Sequence, residues 1–148
     1  MTELDGANVL VVGASGGLGA TISRELARRG ARLGLCGRDR NRLEAVGVEP
    51  TAYVVADLRS PGAADRIAGE AEQQLGPLTG VVYAAGAVAF GTIDELDDDD
   101  VEELLLLNYL APARLARAVL PRLDRGGFVA NLSAVVAEQP TSRMAARV

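Results

Sequence analysis

Val9-Leu10-Val11-Val12-Gly13-Ala14-Ser15-Gly16-Gly17-Leu18-Gly19 is the stretch that decides how this chain is read. Four consecutive apolar residues read as a buried strand; spaced glycines follow at once, and a helical pattern runs on from Gly17. In that context glycines let the backbone turn tightly and approach a pyrophosphate. The helix start adds unpaired N–H groups and the positive end of its dipole. A tight turn between a closely packed strand and helix would use the same residues for a purely structural reason. Three spaced glycines at the first strand-to-helix junction favour the nucleotide phosphate.

Outward from this junction, β-type runs alternate with helical stretches. Ile22, Leu26 and Ala27 share the inner face of a helix over 17–29, which Gly30 closes from the position beyond its C-cap. Residues 32–36 read as strand two, and Asp39 caps a short helix running to Ala45. Strand three covers 52–56, a helix over 63–75 ends at Gly76-Pro77, and strand four covers 80–84. Residues 97–123 read as one long helix that opens on four aspartates and carries the leucines at 104–107 and Leu115. Pro112 bends it and Pro121 lies near its end. Residues 127–132 read as strand five. Such alternation implies parallel pairing through right-handed crossovers. The expected fold is therefore α/β, a doubly wound Rossmann-type parallel sheet with helices on both faces. Its ligand would sit at the carboxyl ends of the strands.

Composition narrows the function. A chain of 148 residues predicts a single domain, 1–148, with no room for a separate substrate domain. A net charge of −5 without a basic tail argues against nucleic acid as a partner. No apolar run approaches the roughly 20 residues that span a bilayer, so no membrane partner is expected. The acidic N-terminus does not resemble a secretory signal. Cys36 stands alone, which excludes an internal disulfide and fits a cytoplasmic location. It reads as a small buried hydrophobe at a strand end. The aspartates at 97–100 suit a helix dipole and lack the alternating spacing of a calcium loop, so no metal is expected.

The glycine spacing is G-x-x-x-G-x-G, and four later elements accompany it. Asp57-Leu58 follow strand three, Ala84-Ala85-Gly86 follow strand four, Asn108 lies in the long helix and Ser133 follows strand five in Asn131-Leu132-Ser133. In order and spacing the set resembles the short-chain dehydrogenase/reductase family over about residues 5–146. The resemblance implies a sheet of about five strands in the order 3-2-1-4-5 and a cofactor site for NAD(P). Gly13, Gly16, Gly17 and Gly19 would shape the loop around the pyrophosphate, lined by Ser15 and Leu18. Asp57 and Leu58 would contact adenine, and Ala84, Ala85 and Gly86 would pass beneath the ribose and nicotinamide. Gly86 as a plain turn and Asp57 as a helix cap are the structural alternatives.

The end of strand two bears on the choice of cofactor. An acid there suits the ribose hydroxyls of NAD, whereas a guanidinium fork matches a 2′-phosphate. In Gly37-Arg38-Asp39-Arg40 the arginine comes first, which favours NADP, with Arg38 and Ser15 as phosphate contacts. Asp39, roughly 20 residues beyond the loop, is the competing NAD-type signal and is read as a helix cap.

The resemblance also implies a reaction: hydride transfer between NADP(H) and a carbonyl or alcohol. Ser133 would polarise the carbonyl, and Asn108 would support a lysine that assists a tyrosine. A phenol with a pKa of about 10 needs such a cation to act near neutrality. The tyrosine would fall at 145–147, where the sequence reads Ala-Ala-Arg, and all 15 basic residues are arginine. Tyr53, Tyr83 and Tyr109 read as packing residues. The expectation is a C-terminally truncated member of the family that binds cofactor but is catalytically incomplete. The alternatives are a non-catalytic NADP(H)-binding or interaction module, or a non-functional remnant. As a homo-oligomer, or paired with a full-length relative, it would use the strand-five edge and the leucine-rich helix.

Overall fold

The computed structural model describes residues 4–134, and within them the alternating pattern becomes a five-stranded parallel sheet. The elements are β1 (Asn8–Val12), α1 (Gly17–Arg28), β2 (Arg32–Gly37), α2 (Arg40–Glu44) and β3 (Ala52–Val55). Next come α3 (Ala63–Leu75), β4 (Leu78–Tyr83), α4 (Asp98–Leu105), α5 (Ala111–Val119) and β5 (Leu123–Asn131). The strand order is β3-β2-β1-β4-β5, as the resemblance implies. Chain order reverses between β1 and β4, so a crevice opens at their carboxyl ends.

Continuous apolar runs make the central strands because both faces of the sheet are covered. Leu10 and Val12 of β1 face one layer with Ile67 of α3 and Leu115 of α5. Val9 and Val11 face the other, with Leu33, Leu35 and Leu43, and Ile22, Leu26 and Ala27 of α1 pack against that cluster as expected. The two-residue period of a strand divides neighbouring side chains between the faces. Burying Ile67 or Leu115 fully stabilises the fold by about 1.5–3 kcal/mol each.

Residues 97–123 depart from the expectation of one long helix. Asp97 caps α4 by accepting a hydrogen bond from Asp100 N at 2.8 Å. The helix then widens into a π-turn over Leu106–Leu110, resumes as α5, tightens into a 3-10 turn at Leu120–Arg122 and ends. Long-range bonds fall at the widening. The buried Tyr83 hydroxyl donates to the Leu107 carbonyl at 2.7 Å, and Asn108 is tied to Ala87. Inserted turns of this kind concentrate at functional sites. Pro112 follows the π-turn in a continuous run of helical backbone, where its missing N–H leaves the preceding turn without one helical bond, in keeping with the bend expected at this position. Leu123, assigned to the helix from its pattern, belongs to β5 and pairs with Leu78, so β4 and β5 both begin earlier than read. Tyr53 and Tyr83 are packing residues, but Tyr109 is 60% exposed.

β3 and β5 are the sheet edges among the described residues, and on the β5 side Phe128, Val129 and Leu132 are each more than a third exposed. Phe128 covers Gly80 of β4 so closely that a Cβ there would lie 2.3 Å from its ring. No helix among the described residues is long and apolar enough to cross a membrane.

Candidate functional site

The turn after β1 is built from backbone bonds. Gly13 takes φ +82°, and the N–H groups of Gly13 and Ala14 donate to the Cys36 carbonyl at 2.9 and 3.1 Å, pinning the turn to β2. Gly16 then caps α1 with no side chain, and the first turn of α1 carries no acid. Its terminal N–H groups therefore have no side-chain cap, in contrast to α4 with its three first-turn aspartates. A helix start left open in this way favours an anion.

The glycines divide into two kinds. A Cβ on Gly13 would lie 2.5 Å from Ala85 N, and one on Gly19 only 2.1 Å from the Gly13 carbonyl oxygen. These two serve the close approach of strand, turn and helix. A Cβ on Gly17 would meet nothing within 4 Å. Packing does not require its glycine, and open space beside uncapped N–H groups is what a phosphate cradle needs.

A cavity of about 470 Å³ opens where the strands end. Gly13, Ser15 and Gly16 line it from the turn, and Asp57 and Leu58 from the end of β3. Ala84, Ala85 and Gly86 line it beyond β4, and Glu103 and Leu107 from the opposite side. Gly17, Leu18 and Gly19 fall outside this lining, and Leu18 is 69% exposed.

Structure separates the charged residues after β2. The Asp39 carboxylate accepts hydrogen bonds from Asn41 N at 2.8 Å and Arg42 N at 3.2 Å, so it caps α2. Arg40 pairs with Glu44 at 2.8 Å and stacks on Tyr53, 3.9 Å from the ring centroid. Arg38 and Arg42 line the cavity, and neither guanidinium has a hydrogen-bond or ion-pair partner among the described residues. Arg42 was not singled out from the sequence; the first turn of α2 brings it back to the wall that holds Arg38. Cys36 is buried at the end of β2, and burial pushes its thiol up to about 12. It acts as an apolar wall, as expected.

Asp57 does not cap α3, whose N-cap is Gly62. Its Oδ1 accepts from Arg59 N at 3.0 Å and Arg59 Nη1 at 3.3 Å, and Arg59 also pairs with Glu103 of α4. The backbone N–H of Arg59 is the main cause holding the Asp57 carboxyl below the usual carboxylate range, helped by the Arg59 and Arg38 charges. Arg59 and Glu103 are separated by 44 positions, and no local pattern announces their pairing.

Asn108 lies in the π-turn and not on the cavity wall. Its Nδ2 donates to the Ala87 carbonyl at 2.9 Å, and its Oδ1 accepts from Ala87 N at 3.0 Å. This reciprocal pair holds the segment after β4, where a Cβ on Gly86 would lie 2.9 Å from Asn108 Oδ1. Ser133 lies exposed just past β5, outside the cavity lining. Positions 145–147 lie outside the described residues. Among the described residues no cluster of His, Cys, Asp or Glu could hold a metal.

Comparison with known proteins places this geometry. A family model described as short chain dehydrogenase matches residues 7–146. A short chain dehydrogenase of Pseudocercospora fijiensis is 32% identical over 149 residues, covering 94% of this chain and 48% of that protein. A short chain dehydrogenase from Burkholderia cenocepacia, crystallised in complex with NADP, superposes with a TM-score of 0.90. It is 26% identical, and the match covers 97% of this chain and 61% of that one. A blue fluorescent protein from a metagenomic library, in complex with NADPH, is 28% identical with a TM-score of 0.85, covering 97% and 62%. The chain spans about half the length of the curated relatives it matches.

Proposed function

This chain belongs to the short-chain dehydrogenase/reductase family, and from that premise we propose that its cavity is an NADP(H) site serving hydride transfer between nicotinamide and a carbonyl or alcohol. The observation that carries the reading is the sorting of charge after β2. Asp39, on the cavity wall as well, caps α2 through Oδ1, and Arg40 is tied to Glu44 and Tyr53, while Arg38 and Arg42 have no hydrogen-bond or ion-pair partner among the described residues. Two guanidinium groups without a hydrogen-bond partner, on the wall that Ser15 also lines, suit a 2′-phosphate. The structures in complex with NADP and NADPH lend support.

The remaining roles are those the family resemblance implies. The glycine turn and the open start of α1 hold the pyrophosphate, with Gly17 leaving room for it. Asp57 and Leu58 hold the adenine, and Ala84, Ala85 and Gly86 run beneath the ribose and nicotinamide. Asn108 acts through Ala87, keeping that segment in place. Bound reduced nicotinamide supplies a hydride to a carbonyl carbon while the oxygen takes a proton. Ser133 is the group proposed to polarise that oxygen.

Proton transfer is the part these residues do not provide. The chain has no lysine, and the Tyr83 hydroxyl is buried and donates to Leu107. The 148 residues by themselves are expected to bind NADPH in preference to NADH without reducing a panel of carbonyl compounds. Nicotinamide fluorescence reports the binding, and loss of NADPH absorbance reports turnover. Saturable binding of NADH but not NADPH would overturn the cofactor assignment.

Arg38→Ala should weaken NADPH binding by about 1.5–3 kcal/mol, the range for hydrogen bonds to a charged group, and affect NADH far less. Equal losses for the two cofactors in the same titration would refute a 2′-phosphate contact.

A further inference from the structure

Arg59 is the best-connected cation on the cavity wall. Its backbone N–H and its Nη1 both donate to Asp57 Oδ1, and its Nη2 pairs with Glu103 on α4. The three residues all line the cavity, so the network spans it from the end of β3 to the opposite wall. No hydrogen bond among the described residues falls on Asp57 Oδ2. One carboxylate oxygen is thus anchored and the other left as an acceptor. The carboxylate cannot turn about its own axis without breaking two bonds to Arg59.

We propose that Arg59, held in place by Glu103, is a positioning residue that aims Asp57 Oδ2 at an exocyclic amino group and so makes the cavity selective for adenine over a deaminated purine. The inference rests on the assignment of Asp57 to the adenine. Glu103 supports it because a lone arginine side chain four residues before a helix start would be free to swing into solvent. Its anchor on a second element removes that freedom. Hypoxanthine lacks the amino donor and presents a carbonyl oxygen instead, which a carboxylate repels. A site built to hydrogen-bond one donor discriminates strongly against the analogue that lacks it.

The test compares NADPH with its deaminated, hypoxanthine-containing analogue by nicotinamide fluorescence titration in the parent chain, Arg59→Ala and Glu103→Gln. The parent is expected to favour NADPH by about tenfold, the order of one hydrogen bond to a charged acceptor. Both variants should lose most of that preference while binding the deaminated analogue as before. An undiminished preference in Arg59→Ala would overturn the proposal. So would an equal loss for both nucleotides, which would make Arg59 a general contact. If the parent itself shows no preference for the amino form, the adenine assignment of Asp57 fails, and the positioning role fails with it. That outcome is separate from one in which the parent discriminates and Arg59 proves irrelevant.

Discussion

Gly13→Val is expected to cost this chain about 2–6 kcal/mol of stability, enough to unfold much of it. Two penalties add. A side chain at φ +82° is strained by about 1–3 kcal/mol. Its Cβ would also lie 2.5 Å from Ala85 N and 2.8 Å from Ala85 Cα, where overpacking costs about another 1–3 kcal/mol. Both contacts are backbone atoms of the segment that follows β4, so no flexible side chain can move aside. Valine there would push β1 and the post-β4 segment apart at the switch in strand order. Against a typical total stability of about 5–15 kcal/mol the loss is large. Thermal unfolding followed by far-UV circular dichroism reads it directly; a variant melting within about 2 °C of the parent would show the turn to be far more pliable than its geometry implies.

Gly17→Val should do the opposite. Its Cβ meets no atom within 4 Å, and the position opens α1 on ordinary helical backbone. The fold should change by no more than a few tenths of a kcal/mol, with helix propensity favouring valine over glycine. The isopropyl group would then occupy the space assigned to the pyrophosphate and cover the uncapped N–H groups of the helix start. NADPH affinity is expected to fall at least about a hundredfold, roughly 2.7 kcal/mol. The same titration decides it: unchanged affinity in a variant of unchanged melting temperature removes the phosphate from this loop. A variant that melts early instead would assign Gly17 to the architecture with Gly13 and Gly19.

The contrast between these two glycines shows how far the sequence can be read. G-x-x-x-G-x-G after four apolar residues placed the turn, the helix start and the crevice. It did not distinguish a glycine that packs from a glycine that leaves space, because that depends on what the Ala84-Ala85 backbone brings alongside. The run Arg38-Asp39-Arg40-Asn41-Arg42 behaves the same way. Asp39 was legible as a cap because its partners lie two and three residues on. That Arg40 stacks on Tyr53 while Arg42 turns to the cavity depends on β3 lying beside β2.

The helix read over 97–123 failed for a related reason. Its leucine spacing and aspartate start are real, and α4 and α5 both form. The π-turn between them lies where Tyr83 and Ala87 bond to Leu107 and Asn108 from β4 and the segment after it, and where Pro112 withholds a helical N–H. Leu123 joined β5 because Leu78 offered it a ladder partner.

The sequence by itself determined most of the elements, their parallel pairing, the Asp39 cap and the crevice at the carboxyl ends of the strands. Each of these is encoded in periodicity, in glycine and proline placement, and in caps that act within a few residues. Only the tertiary structure decided which arginines face the cavity, which glycines are needed for packing, where the long helix breaks and how Arg59 joins Asp57 to Glu103. Those depend on hydrogen bonds and ion pairs between residues some 20 to 70 positions apart, formed only when the sheet has brought the strand ends together.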